Sequence, residues 1–256
     1  TVPEASALDS WRSEWRIEGR ESPDEARPAL RAYEDLLAAL GAIDFDDLVV
    51  RAGDLLETDP RIRLRWQSRF AHVCVDEFQD VDAAQLRLVR LLAAPEDNLF
   101  VVGDDDQTIY AWRLADVRRV LDLAATLPGL RRVDLVTNYR CPRQVVERAV
   151  RLIERNAERF AKGIQPGPLA DGALFLLPDG GDELARARRL LREWYQRHGT
   201  AGSYAVLART NAELAPFAAI ALELGIAYRA ADDGLSGSAD GEHDGQRREK
   251  PSKGTR

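Results

Sequence analysis

Apolar residues recur at helical spacing through the first third of the chain. Leu30, Tyr33, Leu37 and Leu40 fall three or four apart, and Gly41 ends the run. Just before them, Ser22-Pro23-Asp24-Glu25 sets Ser and Glu three apart with Pro in the first turn. That arrangement predicts a helix start at Ser22. Asp44 predicts the cap of a second helix carrying Leu48, Ala52 and Leu55 and closing before Pro60. Ile62 and Trp66 then share one face of a third, shorter helix.

From Phe70 onward the pattern changes to short apolar runs separated by helical stretches. Val73 to Val75 reads as a strand. Asp82 predicts a cap for a helix with Leu86, Val89 and Leu92 spaced by three. Leu99 to Val102 reads as the next strand, and 116–127 as the next helix. Pro128-Gly129 marks a turn before a strand over 133–136. This βαβα order predicts a mostly parallel sheet with helices on its faces. Ligands of such sheets sit beyond the carboxyl ends of the strands. Asp76 and the stretch Asp104 to Gln107 fall at those ends.

A second run follows. Pro142 predicts a helix start, with the helix running to about Phe160; 163–172 reads as a loop. Strands are expected at 173–177 and 204–207, with a helix over 183–196 between them. Asn211 predicts the cap of a last helix ending at Gly225, and Ile226 to Tyr228 the start of a strand. From Asp232 the chain is Gly, Ser, Asp, Arg and Lys with few apolar residues, so 232–256 is expected to be disordered.

Composition narrows the class. No apolar run approaches the ~20 residues that span a bilayer. The two cysteines, Cys74 and Cys141, have no CxxC partner, so a disulfide framework or zinc site is not expected and a reducing cytoplasm is the default. Cys74 lies in a strand expected to be buried. The net charge of −7 argues against a protein that coats DNA by overall basicity, but leaves room for a local basic groove. The chain begins with Thr and has no Met, so a longer reading frame is expected. All but three of its 36 basic residues are arginine; the lysines are Lys162, Lys250 and Lys253.

Two motifs carry the chemistry. Val75-Asp76-Glu77-Phe78-Gln79-Asp80 runs from an apolar strand into paired carboxylates, an arrangement that holds Mg²⁺ and activates water in nucleotide hydrolases. Gly103 to Arg113, GDDDQTIYAWR, follows the next strand and puts Gln107 near the same sheet end, with Tyr110 and Trp112 just beyond. Asp104 to Asp106 also read as a turn whose side chains cap a helix. A phosphate loop of the form GxxxxGK, followed by Ser or Thr, would have to precede Asp76. No lysine stands before that position, so the chain is not expected to build an ordinary ATP site alone.

The motifs resemble those of UvrD/Rep-type superfamily 1 DNA helicases. VDEFQD at 75–80 is similar to the family's Walker B motif, GDDDQTIYAWR at 103–113 to its third motif, and TNYR at 137–140 to its fourth. IDFDDLV at 43–49 and VLARTNA at 206–212 resemble flanking segments, so the likeness spans about residues 40 to 230. The resemblance implies an α/β fold, with parts of two RecA-like P-loop NTPase domains whose parallel sheets are flanked by helices. Residues 1–42 would be a helical lead-in and 43–132 the later part of the first RecA-like domain. Residues 133–231 would be the early part of the second, and 232–256 a disordered tail.

It further implies ATP and Mg²⁺ as cofactors, and single-stranded DNA and duplex junctions as partners. Asp76 would bind Mg²⁺ through water, and Glu77 would orient or deprotonate the attacking water. Gln107 would sense the γ-phosphate. Tyr139 would stack on adenine, and Arg140 would act as an arginine finger. Tyr110 and Trp112 would stack on bases of single-stranded DNA. Movement would run in the 3′ to 5′ sense.

Two further readings compete. One is a non-catalytic module that binds single strands through Tyr110 and Trp112. The other is a metal-dependent nuclease built on Asp76, Glu77 and Asp104 to Asp106, which is disfavoured because no recognisable nuclease carboxylate–lysine cluster accompanies them in the sequence.

Overall fold

A computed structural model describes residues 4–127, 129–168, 172–175, 182–198 and 204–230. The expected disordered tail, 232–256, lies outside the described residues. The chain divides into two compact units, 1–174 and 175–256.

The first unit opens with four helices: α1 (Ala5–Glu18), α2 (Arg27–Leu40), α3 (Phe45–Thr58) and α4 (Pro60–Gln67). Their ends follow local chemistry. The Asp44 carboxylate accepts from the Asp47 N–H at 3.0 Å, and Asp46 and Asp47 sit in the first turn of α3, where the helix dipole favours negative charge. Asp59 caps α4 by accepting from Arg61 and Ile62, with Pro60 at the first helical position. The expected start at Ser22 is not used. α2 begins at Arg27, and its N-cap, Ala26, has helical backbone and no side-chain cap. Ala26 is fully buried, so packing rather than capping fixes that helix start.

Charge ties these helices together. Asp47 is 0% exposed and faces three guanidinium groups. Arg16 Nη2 lies 2.5 Å from Asp47 Oδ1, Arg51 Nη2 lies 2.7 Å from Oδ2, and the buried Arg12 lies at 3.6 Å. Arg12 also reaches Glu34 and Asp44, at 3.0 and 2.5 Å, and so links α1 to α2 and α3.

Next come β1 (Val73–Val75), α5 (Ala83–Ala93), β2 (Leu99–Val101), α6 (Val117–Leu121) and α7 (Leu123–Thr126). β1 and β2 are parallel, with Val73 opposite Leu99, Cys74 opposite Phe100 and Val75 opposite Val101. Asp82 caps α5 as the sequence predicts, and with Gln85 it forms a full capping box. The single helix expected over 116–127 is two short ones that meet at Asp122.

Strand side chains alternate between faces. Val75, Leu99 and Val101 pack onto a core of Phe78, Val81, Leu123 and Leu127. The opposite face carries Cys74 and Phe100, both exposed. The expected burial of Cys74 is therefore wrong: no described element covers that side of the pair.

The unit closes with β3 (Thr137–Asn138), α8 (Arg143–Ile153) and β4 (Gln165–Pro166). β3 and β4 form a second parallel pair. The strand expected at 133–136 begins only at Thr137, although the Val136 carbonyl already accepts from the Gln165 N–H. α8 ends at Ile153, short of the expected Phe160, and the chain beyond it turns toward the Asp104 segment.

The second unit holds α9 (Glu183–His198) and α10 (Asn211–Glu223). Arg188 and Glu223 join them at 2.5 Å. α10 starts one residue earlier than expected in its cap: Thr210, with Glu213, forms the capping box. Gly225 follows in the left-handed region, with φ 67°. The described residues of the expected strands 173–177 and 204–207 have no strand pairing. Among the described residues, no helix is long and apolar enough to cross a membrane.

Candidate functional site

Two backbone bonds stitch the carboxyl ends of β1 and β2 together. The Val102 N–H donates to the Val75 carbonyl at 2.8 Å, and the Phe78 N–H donates to the Val102 carbonyl at 2.9 Å. Asp76 and Glu77 lie between these bonds and are exposed. One Asp76 oxygen accepts from the Glu77 N–H at 2.9 Å. Glu77 has φ 50° and ψ 44°, a left-handed conformation that L residues adopt rarely. The chain therefore turns sharply at the second carboxylate and drops Phe78 into the core.

Gln79 joins the two motifs. It is 2% exposed, and both ends of its amide are used. Nε2 donates to Glu77 Oε2 at 2.7 Å, and Oε1 accepts from the Asp104 N–H at 2.9 Å. Gly103 permits this approach, since a Cβ there would stand 3.0 Å from Gln79 Oε1 and 3.3 Å from the Phe78 backbone nitrogen. Gln79 sits inside the first motif, but sequence reasoning passed over it. The available signal was an amide two residues after a carboxylate, in a segment that must be buried.

The 104–107 stretch is a turn held by its own side chains. Asp104 accepts from the Asp106 N–H at 3.2 Å and from Gln107 Nε2 at 2.7 Å. The capping role expected of these aspartates is present, and a second role appears. Arg159 pairs with Asp106 through two bonds of 2.8 and 2.9 Å, and the Phe160 N–H donates to Asp105 at 2.7 Å. Lys162 contacts Asp104, reaches Asp105 at 2.6 Å and Asp106 at 3.0 Å. The segment after α8 is thus clamped onto the second motif. Lys162 is the only lysine among the described residues, and that rarity was its signal in the sequence.

The electrostatics follow. Burial would push Asp104 up, but bonds from Lys162 and Gln107 outweigh it and hold the carboxyl below its usual range. The Arg159 bonds do the same for Asp106. Burial would lower Lys162, yet its three aspartates raise it well above an ordinary lysine. Burial, with the Glu77 charge added, pushes Asp80 up.

These facts decide where a cation fits. Asp104, Asp105 and Asp106 bring carboxylate oxygens within 4.8 Å of one another, but the Lys162 ammonium already occupies their centre. The carboxylate–lysine cluster that the sequence did not reveal is therefore present as a closed set of ion pairs. Asp76 is the better fit for a hydrated Mg²⁺, being exposed at a strand end beside Glu77.

Tyr110 precedes, and Trp112 lies within, a short 3-10 turn at 111–113. Their rings are 6.2 Å apart and tilted by 59°, and Arg113 lies 4.9 Å over the indole. Trp112 is 72% exposed, so it is not core. Tyr139 and Arg140 follow β3. The Asn138 side chain accepts from the N–H groups of Arg140 and Cys141 at 3.0 and 2.9 Å, setting the turn into α8. Tyr139 is 80% exposed and passes close to Gly167, where a Cβ would meet its ring at 2.9 Å. Arg140 is exposed and makes no ion pair among the described residues. The structure thus brings Glu77, Gln79, Asp104 and Gln107 into one bonded set, while no hydrogen bond or ion pair joins Tyr139 or Arg140 to it.

Comparison with known proteins bears on the family. Residues 5–128 match the UvrD/REP helicase N-terminal domain. DNA helicase II of Escherichia coli is 33% identical over 202 residues, covering 78% of this chain and 28% of that protein. The ATP-dependent DNA helicase PcrA of Staphylococcus aureus is 35% identical over 184 residues, covering 71% of this chain and 25% of that protein. The chain thus spans about a quarter of the length of these relatives. The ordered motifs, the parallel strand ends that carry them and this similarity lead to one conclusion: the chain belongs to the UvrD/Rep helicase family.

Proposed function

We propose that this chain is part of an ATP-dependent DNA helicase that moves 3′ to 5′ on single strands and acts at duplex junctions. In this reading residues 43–132 belong to a first RecA-like domain and 133–231 to a second. The observation that carries it is the Gln79 amide, which bonds the Glu77 carboxylate and the Asp104 backbone at once. A water-activating carboxylate is thereby tied to the turn that bears Gln107 and leads to Tyr110 and Trp112.

Mg²⁺ held through water at Asp76 would neutralise charge on the phosphates. Glu77 accepts a proton from the attacking water, and Gln79 fixes the orientation of that carboxylate. Gln107, anchored on Asp104, senses the γ-phosphate. Tyr139 stacks on adenine, and Arg140 stabilises negative charge as it develops. Tyr110 and Trp112 stack on bases without reading their identity.

The isolated 256-residue chain is proposed to hydrolyse ATP negligibly, because it contains no GxxxxGK stretch to grip the phosphates. The test replaces the matching segment of the S. aureus PcrA helicase with residues 43–128. The chimera is expected to keep DNA-stimulated hydrolysis, and Glu77→Gln in it to lower the rate ~10²–10⁴-fold. Undiminished hydrolysis in that variant would overturn the role of Glu77. DNA-stimulated hydrolysis by the isolated chain would overturn its inactivity. The non-catalytic alternative rests on the exposed Trp112 alone: indole quenching by oligo-dT, lost in Trp112→Ala, with a chimera that does not hydrolyse ATP, would favour it.

A further inference from the structure

A second surface of the first unit has the chemistry of a single-strand contact, far along the sequence from Tyr110 and Trp112. Helix α4 and the turn after it read Pro60-Arg-Ile-Arg-Leu-Arg-Trp-Gln-Ser-Arg-Phe70, with four arginines and no acidic residue. Arg61 and Arg65 are spaced by four along α4, so their Cβ atoms lie about 5–6 Å apart on one stripe, and Arg69 adds a further exposed guanidinium in the turn that follows. Trp66 and Phe70 form the neighbouring stripe. Their rings are nearly parallel, at 17°, with centroids 6.2 Å apart, and both are close to half exposed. The Arg69 guanidinium covers the Trp66 ring at 5.0 Å.

The charges on this stripe are largely uncommitted. The nearby carboxylates of α3, Asp54 and Glu57, are both held by Arg87, at 2.9 and 2.6 Å. Arg61 has one loose contact, 3.7 Å from Asp59. Arg63 donates to the Leu56 carbonyl and faces the helix pair rather than the stripe. Arg65 and Arg69 make no ion pair among the described residues. A local charge of this sign stands out on a chain whose net charge is −7.

We propose that the α4 face, Arg61, Arg65 and Arg69 with Trp66 and Phe70, is a second contact site for single-stranded DNA. Phosphates pair with the arginine stripe, and one or two bases stack on the exposed rings. Charge complementarity selects a polyanion, and flat aromatic faces select one that carries bases. An acidic peptide would satisfy only the arginines.

The experiment titrates the 256-residue chain into a fluorescein-labelled dT oligonucleotide at about 50 to 200 mM salt, following anisotropy. Arg65→Gln/Arg69→Gln removes two exposed charges without breaking an ion pair. It is expected to weaken binding and to flatten the slope of log K against log salt by about 1.4, at ~0.7 per phosphate contact. Trp66→Ala is expected to weaken binding about five-fold or more, from loss of base stacking. Circular dichroism of both variants should match the parent. Unchanged affinity and slope in the double variant overturns the site. So does loss of all binding in Trp112→Ala, an outcome that leaves the proposed helicase role standing. Trp66→Ala binding like the parent, with polyglutamate competing as well as dT, also overturns it, since the face then reads charge alone. Binding that survives Trp112→Ala and fails in Trp66→Ala upholds the α4 site and removes Trp112 from the DNA contact.

Discussion

Gln79 donates its side-chain N–H to the Glu77 carboxylate at 2.7 Å while its carbonyl oxygen holds the Asp104 backbone. One buried amide therefore sets the position of a carboxylate on one strand end and of a turn on the next. Gln79→Ala should cost about 1–3 kcal/mol in urea denaturation, because the Asp104 N–H loses its acceptor in a buried place. Gln79→Glu should cost more at neutral pH than at pH 4, since it sets a second carboxylate against Glu77 and cannot donate until protonated. Equal losses at the two pH values would count against this account.

Lys162 holds three aspartates together. Lys162→Ala leaves Asp105 and Asp106 buried without their ammonium and should destabilise the first unit by about 3 kcal/mol. Millimolar Ca²⁺ should recover part of the loss in that variant and have no effect on the parent, since a cation can then enter between the carboxylates. Differential scanning calorimetry with and without Ca²⁺ reads both.

The same cluster sets a pH window. Asp104 and Asp106 have lowered pKa values in the folded chain, so their stabilisation is complete above about pH 4, the unfolded value, and is lost as pH falls through the folded values. Lys162 is raised, so its contribution is complete below about pH 10 and is lost as pH rises beyond that. Asp82, which burial raises, works the other way, because protonation relieves its desolvation as pH falls. Denaturant midpoints should form a plateau between those limits. In Lys162→Ala the alkaline fall should shrink.

Asp47 is the charge on which three guanidinium groups converge. Its burial opposes ionisation, but bonds from Arg16 and Arg51 outweigh that and lower its pKa. Asp47→Ala should destabilise the chain by about 3–5 kcal/mol, leaving the partly buried Arg16 without its counter-charge, whereas Arg12 keeps Glu34 and Asp44. Asp46→Ala, whose side chain is partly exposed, should cost far less. Similar losses for the two would contradict the special place of Asp47.

Where local chemistry decides, the sequence was readable. Asp44 and Asp82 cap the helices that their spacing announces, and the motifs fall at adjacent parallel strand ends. Where distant packing decides, it was not. Ser22 and Glu25 have the residue types of a capping box, yet burial of Ala26 moves the helix start. Cys74 looks buried because its strand is apolar, but burial depends on what lies over the sheet. Lys162 and Arg159 meet the second motif only because the chain turns back after α8, and nothing at 159–162 announces that partner. The double role of Gln79 depends on how two strand ends meet, which its place inside the first motif does not reveal.

The open side of β1 and β2 has a practical outcome. Phe100, 65% exposed beside the Cys74 thiol, gives the sheet a bare hydrocarbon flank. Parallel pairs are normally sandwiched on both sides, and an uncovered flank of this kind is adhesive. The isolated chain should therefore associate with itself as its concentration rises, and oxidation at Cys74 should then lock some pairs covalently. Dilute, reduced samples are the condition under which its behaviour in solution belongs to single molecules.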